Sequence, residues 1–199
     1  MFPLLETIRF EKGVFSNTGY HLRRMQQSAE AYLGKSLQFD FYKLLEKAGQ
    51  TANNKDKLFK FRLLYSAEAY RWEFLKYSLP RLKTLKIIED NTIDYRYKYS
   101  DRSRLNRLRQ LRADADDILI VKNGAVTDTS FANIIFYDGT KWITPKNPLL
   151  RGTQRAYLIE RGRLTEETIL FSDIFTFRQA RIINAMIRFE DAVTVYIVS

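Results

Sequence analysis

Three stretches of the chain are written as strand, tight turn and strand, and they restrict the fold more than any other feature. LLETIRFEKGVFS, residues 4–16, has apolar positions alternating on either side of a Lys-Gly pair. DILIVKNGAVTD, residues 117–128, turns at Asn123-Gly124, and NIIFYDGTKWITP, residues 133–145, turns at Asp138-Gly139. Asn-Gly and Asp-Gly supply two consecutive positive-φ positions, so both are read as type I′ hairpins. LFKFRLLYS, AYRWEFLKY and LKTLKIIED add three strands rich in aromatic and aliphatic residues.

Helices are expected between these strands. Leu22, Met25, Ala29 and Tyr32 recur at helical intervals ahead of Gly34, and a second helix runs from Asp40 to about Ala48 before the polar loop GQTANNKDK. Leu105, Leu108 and Leu111 mark one face of a third helix whose other face carries Arg104, Arg107 and Arg112. A glycine-initiated helix follows LLRG, SDIFTFRQA forms a shorter one, and ARIINAMIRFEDAVTVYIV closes the chain with strands. The fold class is therefore α+β with antiparallel sheets. The boundary falls in the polar, aromatic 90–97 region, giving an α+β domain over residues 1–92 and a second domain over 93–199.

Composition removes several chemistries. The chain has no cysteine and one histidine, which excludes disulfides, thiolate catalysis and a multi-histidine metal cage. No apolar run has the length of a spanning helix, and the start MFPLLETIRFEKG lacks the features of a signal peptide, so a soluble, cytoplasmic protein without membrane association is expected. The 199 residues carry a net charge of +10. Such a field draws in anions, whether nucleic acid, acidic membrane, or small phosphorylated or carboxylated molecules, and charge alone does not choose among them.

ETIRFEKG…HLRRM, KYSDR, VTDTSFANIIF followed by WITP, and LLRGTQR occur here in that order over most of the chain. Together they resemble the class IV aminotransferases, the pyridoxal-phosphate family that includes 4-amino-4-deoxychorismate lyase and the branched-chain and D-amino-acid aminotransferases. The resemblance implies a two-domain fold of the D-amino-acid-aminotransferase kind, with the first domain shortened at its start and the second binding the cofactor. It also implies pyridoxal 5′-phosphate as cofactor, a small anionic amino substrate and a homodimer.

Its residue roles follow motif by motif. Lys98 falls where the family carries the lysine that forms an imine with the cofactor aldehyde and moves protons, a task needing a lowered pKa; Arg96 and Arg102 are near enough in sequence to help lower it. Asp128 stands where the family usually has a glutamate against the ring nitrogen, one C–C bond or about 1.5 Å shorter. Arg24 matches the phosphate-contacting arginine, and Gly152, Thr153 and Gln154 open a helix onto the phosphate, Gln154 replacing the threonine of most aminotransferases. Ser130 and Asn133 shape the cofactor pocket, and Asn184 and Ala185 match a late segment near phosphate and substrate. Thr7 aligns with a threonine beside the substrate, Arg102 is a substrate-binding candidate, and His21 is given a packing or hydrogen-bonding role. Without the resemblance, Lys98 reads as a solvated cation, Asp128 as a turn acceptor and Arg24 as a helix-surface charge near Glu30.

Lysine and arginine spaced as in KYSDR, and Gln154, look like the lyase branch, which converts 4-amino-4-deoxychorismate to 4-aminobenzoate and pyruvate in folate synthesis. The alternatives are an aminotransferase acting on branched-chain or D-amino acids, a non-catalytic relative, or a nucleic-acid-binding protein using the arginine helix.

Overall fold

The computed structural model describes residues 2–52 and 57–198. Of the polar loop expected over 49–57, residues 53–56 lie outside them; the helix before it continues to Thr51. The chain forms two compact units, Met1–Leu79 with Tyr97–Asp101, and Pro80–Arg96 with Arg102–Ser199.

In the first unit, β1 (Leu4–Glu11) turns into β2 (Val14–Phe15) through Lys12 and Gly13, at φ 51° and 77°. Helices α1 (Thr18–Ser28) and α2 (Phe41–Thr51) precede β3 (Phe59–Tyr65) and β4 (Tyr70–Lys76). The antiparallel sheet runs β2-β1-β3-β4. Asp40 caps α2 by accepting from the amides of Tyr42 (2.9 Å) and Lys43 (3.1 Å). Leu4, Ile8 and Phe10 on one face of β1 pack with Phe61, Leu63 and Tyr65 of β3 against Met25 of α1 and Phe41, Leu44 and Leu45 of α2. Glu6 shares that inward row and is fully buried.

The first helix does not keep one face to Tyr32. Residues Ala29–Leu33 form a π-helical turn, whose wider winding rotates the following side chains relative to an α-helix. Tyr32 is consequently 45% exposed and meets the rings of Tyr97 (5.6 Å) and Tyr99 (5.2 Å) instead of the core.

The second unit contains β5 (Thr84–Glu89), α3 (Ser103–Gln110), β6 (Asp117–Lys122), β7 (Ala125–Thr129), β8 (Asn133–Tyr137), β9 (Trp142–Pro145), α4 (Thr153–Glu160), β10 (Thr165–Glu167), β11 (Gln179–Ile183) and β12 (Thr194–Val198). Its strands run β10-β9-β8-β11-β12-β5-β6-β7, and a further β7–β8 pairing closes six of them into a barrel. Ile134, Phe136, Ile182, Leu85, Leu119 and Val126 fill one buried cluster. Ile135 and Ile183, of opposite phase on their strands, pack with Leu158 of α4 in another.

The α+β class holds, with additions that hairpin signals do not carry. β5 pairs in parallel with β6 and β12, as does β9 with β10. Those pairings place β5 in the second unit, so the division falls at residues 79/80 rather than 92/93, and residues 97–101 return to the first. Asn123 and Gly124 adopt φ 51° and 75°, as a type I′ turn requires. Asp138-Gly139 does not: only Gly139 has positive φ, and the Asp138 carboxylate accepts from the amides of Thr140 and Lys141 across a four-residue loop. Leu111 lies beyond the end of α3 and is 55% exposed, leaving Leu105 and Leu108 as its buried face. Among the described residues no helix is long and apolar enough to cross a membrane.

Candidate functional site

Expected site residues occur in both units. In the second, they gather where the barrel closes. β7 and β8 meet through a single register pair, Asp128 opposite Asn133, which places the two side chains side by side. Asn133 Nδ2 donates to Asp128 Oδ1 at 2.7 Å and to the Leu150 carbonyl at 2.9 Å; the Leu150 amide donates to Asp128 Oδ2 at 2.9 Å. Asp128 is therefore more than an acceptor in its own turn. Burial pushes its carboxyl up to about 6, exceeding the opposing effects of the Leu150 and Asn133 hydrogen bonds and the Arg155 charge.

Gly152 is held to its identity by the same asparagine. A Cβ added there would lie 1.9 Å from Asn133 Oδ1, so any other residue would drive Asn133 away from Asp128 or displace the start of α4. The helix opens on Gly152 without a side-chain cap, and Thr153 and Gln154 are buried in its first turn. Arg155 anchors that turn, donating to the Pro145 carbonyl (2.8 Å) and Glu166 (2.6 Å).

The loop between Asp128 and Asn133 is fastened from three directions. Thr129 Oγ accepts from the Ala132 amide at 3.0 Å, Arg102 donates to the carbonyl of buried Ser130 at 2.8 Å, and Asn184 Nδ2 donates to the Phe131 carbonyl at 3.4 Å. Asn184 Oδ1 also accepts from the amides of Met186 and Ile187, holding the turn that contains half-buried Ala185.

In the first unit, Glu6, His21 and Arg24 form a buried cluster. Arg24 Nε donates to Glu6 Oε1 at 2.9 Å and Arg24 Nη2 to Oε2 at 2.5 Å, while His21 Nδ1 lies 2.6 Å from Oε2. Burial alone would raise the Glu6 carboxyl, but the Arg24 charge and the His21 hydrogen bond hold it down at about 2. Burial pushes His21 below its usual pKa; Glu6 opposes this, whereas the charges of Arg24 and Lys98 add to it. An ionised Glu6 can only accept, so His21 is the donor in this pair, and Arg24 pairs with Glu6 rather than serving as a helix-surface partner of Glu30.

Half-buried Lys98 lies close enough to His21 for its charge to disfavour a protonated imidazole. Its carbonyl accepts from the Leu5 amide at 3.0 Å, Ser100 bonds to Phe2 and Pro3, and the rings of Tyr97 and Tyr99 meet that of Tyr32 in tilted and edge-on contacts. Lys98, His21, Arg24 and Glu6 are therefore brought together. Thr7, paired with Arg62, projects from the opposite face of β1 to Glu6. Of the two cations expected beside Lys98, Arg96 binds Asp94 at 3.0 Å and Arg102 binds Ser130.

Glu6 is the residue that motif reasoning passed over in favour of Thr7. Its signal was available: a carboxylate in the inward row Leu4, Glu6, Ile8, Phe10 must find partners or pay heavily for burial. The arginine helix is also less open than its spacing implies, since Arg104 binds Asp90 at 2.6 Å and Arg109 binds Asp117 at 3.1 Å.

A sequence profile of the amino-transferase class IV family matches residues 3–189. An uncharacterized protein of Haemophilus influenzae is 39% identical over 188 residues, 94% of this chain and 98% of the other. A crystal structure of a candidate 4-amino-4-deoxychorismate lyase from Haemophilus somnus is 37% identical, covers 94% of this chain and 97% of its own, and superposes with a TM-score of 0.88. A hypothetical aminotransferase of Mycobacterium tuberculosis in its PLP-bound form shares the fold at 18% identity and a TM-score of 0.80, over 98% of this chain and 80% of its own.

Proposed function

The chain belongs to the class IV aminotransferase family, and from that premise we propose that it is a lyase converting 4-amino-4-deoxychorismate to 4-aminobenzoate and pyruvate. The family's cofactor is pyridoxal 5′-phosphate, which when bound supplies an electron sink for the carbon bearing the substrate amine. The residues present fit it. Asp128, buried and raised to about 6, has two oxygens that each retain acceptor capacity beyond the bonds from Asn133 and Leu150. A cationic ring N–H is the partner that would stabilise the ionised form of such a carboxylate and lower its raised pKa. The start of α4, which Gly152 opens without a side-chain cap, offers the helix-terminal environment that suits a phosphate.

The geometry of Asp128, Asn133 and Gly152 carries the enzymatic reading, because it is costly to build and the barrel core does not require it. In the proposed reaction Asp128 would hold the proton on the ring nitrogen; Arg24 is proposed as a phosphate ligand, as is the first turn of α4. The amine of Lys98 would hold the cofactor and would take the proton from the amine-bearing carbon of the substrate. Loss of that proton and of the enolpyruvyl C–O bond would create the aromatic ring, and the departing enolpyruvate would take up one proton in return, at its methylene carbon, to become pyruvate. Pyruvate departs, and no second substrate enters. Thr7 is proposed to orient or protonate the leaving group and Arg102 to meet a substrate carboxylate; the working unit is proposed to be a homodimer.

The choice of lyase is supported by the likeness to the Haemophilus somnus protein over nearly both whole chains. The cofactor-loaded protein should release 4-aminobenzoate and pyruvate in equal amounts from aminodeoxychorismate without any keto acid. Silence in that assay, with amino transfer between an amino acid and a keto acid, would replace the lyase by an aminotransferase.

A further inference from the structure

We propose that Glu6 is a positioning residue for the cofactor phosphate: through its two-point contact with Arg24 it fixes the direction in which that guanidinium meets the anion. The proposal rests on Arg24 as the phosphate ligand proposed above. An arginine on a helix surface samples many rotamers, and ordering it on binding weakens the complex. Here the ordering is done in advance. Glu6 sits in β1, with Leu63 of β3 as its register partner, so its carboxylate projects from a paired ladder rather than a loop. Both oxygens are used on Arg24, at 2.9 Å to Nε and 2.5 Å to Nη2, in the parallel two-bond geometry that fixes a guanidinium plane. His21 holds the carboxylate from another side at 2.6 Å, and the Glu6 and His21 side chains are fully buried. Arg24 retains 11% side-chain exposure, so the cluster is solid at its base and reaches solvent at the arginine.

Neither the barrel nor the first-unit core explains a carboxylate at position 6. An aliphatic residue there would continue the row of Leu4, Ile8 and Phe10. What the carboxylate adds is one guanidinium held in one orientation.

The test compares binding of pyridoxal phosphate with that of pyridoxal, which lacks the phosphate, by cofactor absorbance in the wild-type chain, Glu6→Gln, Arg24→Gln and the double variant. Glu6→Gln should weaken pyridoxal phosphate binding at least about tenfold while pyridoxal changes little, and should add nothing in the Arg24→Gln background. Glu6→Asp, which keeps the charge but withdraws it by about 1.5 Å, should show a smaller loss of the same selectivity and serves if Glu6→Gln does not fold. Equal weakening of both ligands, or undiminished preference for the phosphorylated one in the Glu6 variants while Arg24→Gln loses it, would overturn the proposal. If Arg24→Gln itself keeps the preference, the assignment of Arg24 to the phosphate fails, and this inference falls with it.

Discussion

Asp128 and Glu6 are both buried carboxylates, and their surroundings drive them in opposite directions. Among the described residues Asp128 has hydrogen-bond donors but no ion-pair partner, and its carboxyl rises from 3.8 to about 6. A group more readily protonated when folded than when unfolded lowers stability as pH rises through the interval between those values. The cofactor-free protein should therefore lose about 3 kcal/mol of stability from this group between pH 4 and pH 7. Asp128→Asn should remove most of that loss, and cofactor binding should offset it. Denaturant titrations across that range check both statements. Glu6, held at about 2 against an ordinary 4.5, works the other way. It contributes stability above the ordinary value that disappears as pH falls toward 2, and Glu6→Gln should flatten that acid limb.

At the scale of elements, the close approach of α4 to the β7–β8 closure is the most sensitive contact. Gly152→Ala puts a methyl group 1.9 Å from Asn133 Oδ1. It should cost about 1–3 kcal/mol in thermal or chemical unfolding. It should also loosen cofactor binding, because the displaced amide is the one that orients Asp128. The hairpins at Lys12-Gly13 and Asn123-Gly124 were readable in sequence because their turn residues announce positive φ. Parallel pairing announces nothing: β5 meets β12 across more than one hundred residues with no turn between them, so the barrel closure and the true division of the chain were not legible. The π-helical turn escaped for a similar reason. Leu22, Met25 and Ala29 fit an α-helix, and only the packing of Tyr32 with Tyr97 and Tyr99 reveals the wider turn. Among site residues, Asp128, Asn133 and Gly152 could be found by motif and do lie together. Glu6 could be found only by treating its place in an apolar row as information.

Across the whole molecule, a net charge of +10 favours capture of an anionic substrate. For a dicarboxylate, KM should rise with ionic strength over the range in which the Debye length shrinks from about 30 Å to about 10 Å, with kcat nearly constant. A nucleic-acid-binding protein would instead show steep salt dependence in DNA affinity, for which α3 is poorly equipped with Arg104 and Arg109 already paired to Asp90 and Asp117. In the proposed reaction one lysine holds the cofactor. Borohydride treatment of the pyridoxal-phosphate-loaded protein, followed by peptide mapping in a mass spectrometer, should place the reduced pyridoxyl group on Nζ of Lys98 and nowhere else in stoichiometric amount. A loaded protein that carries the group on a different lysine, or that carries none after reduction, would contradict it.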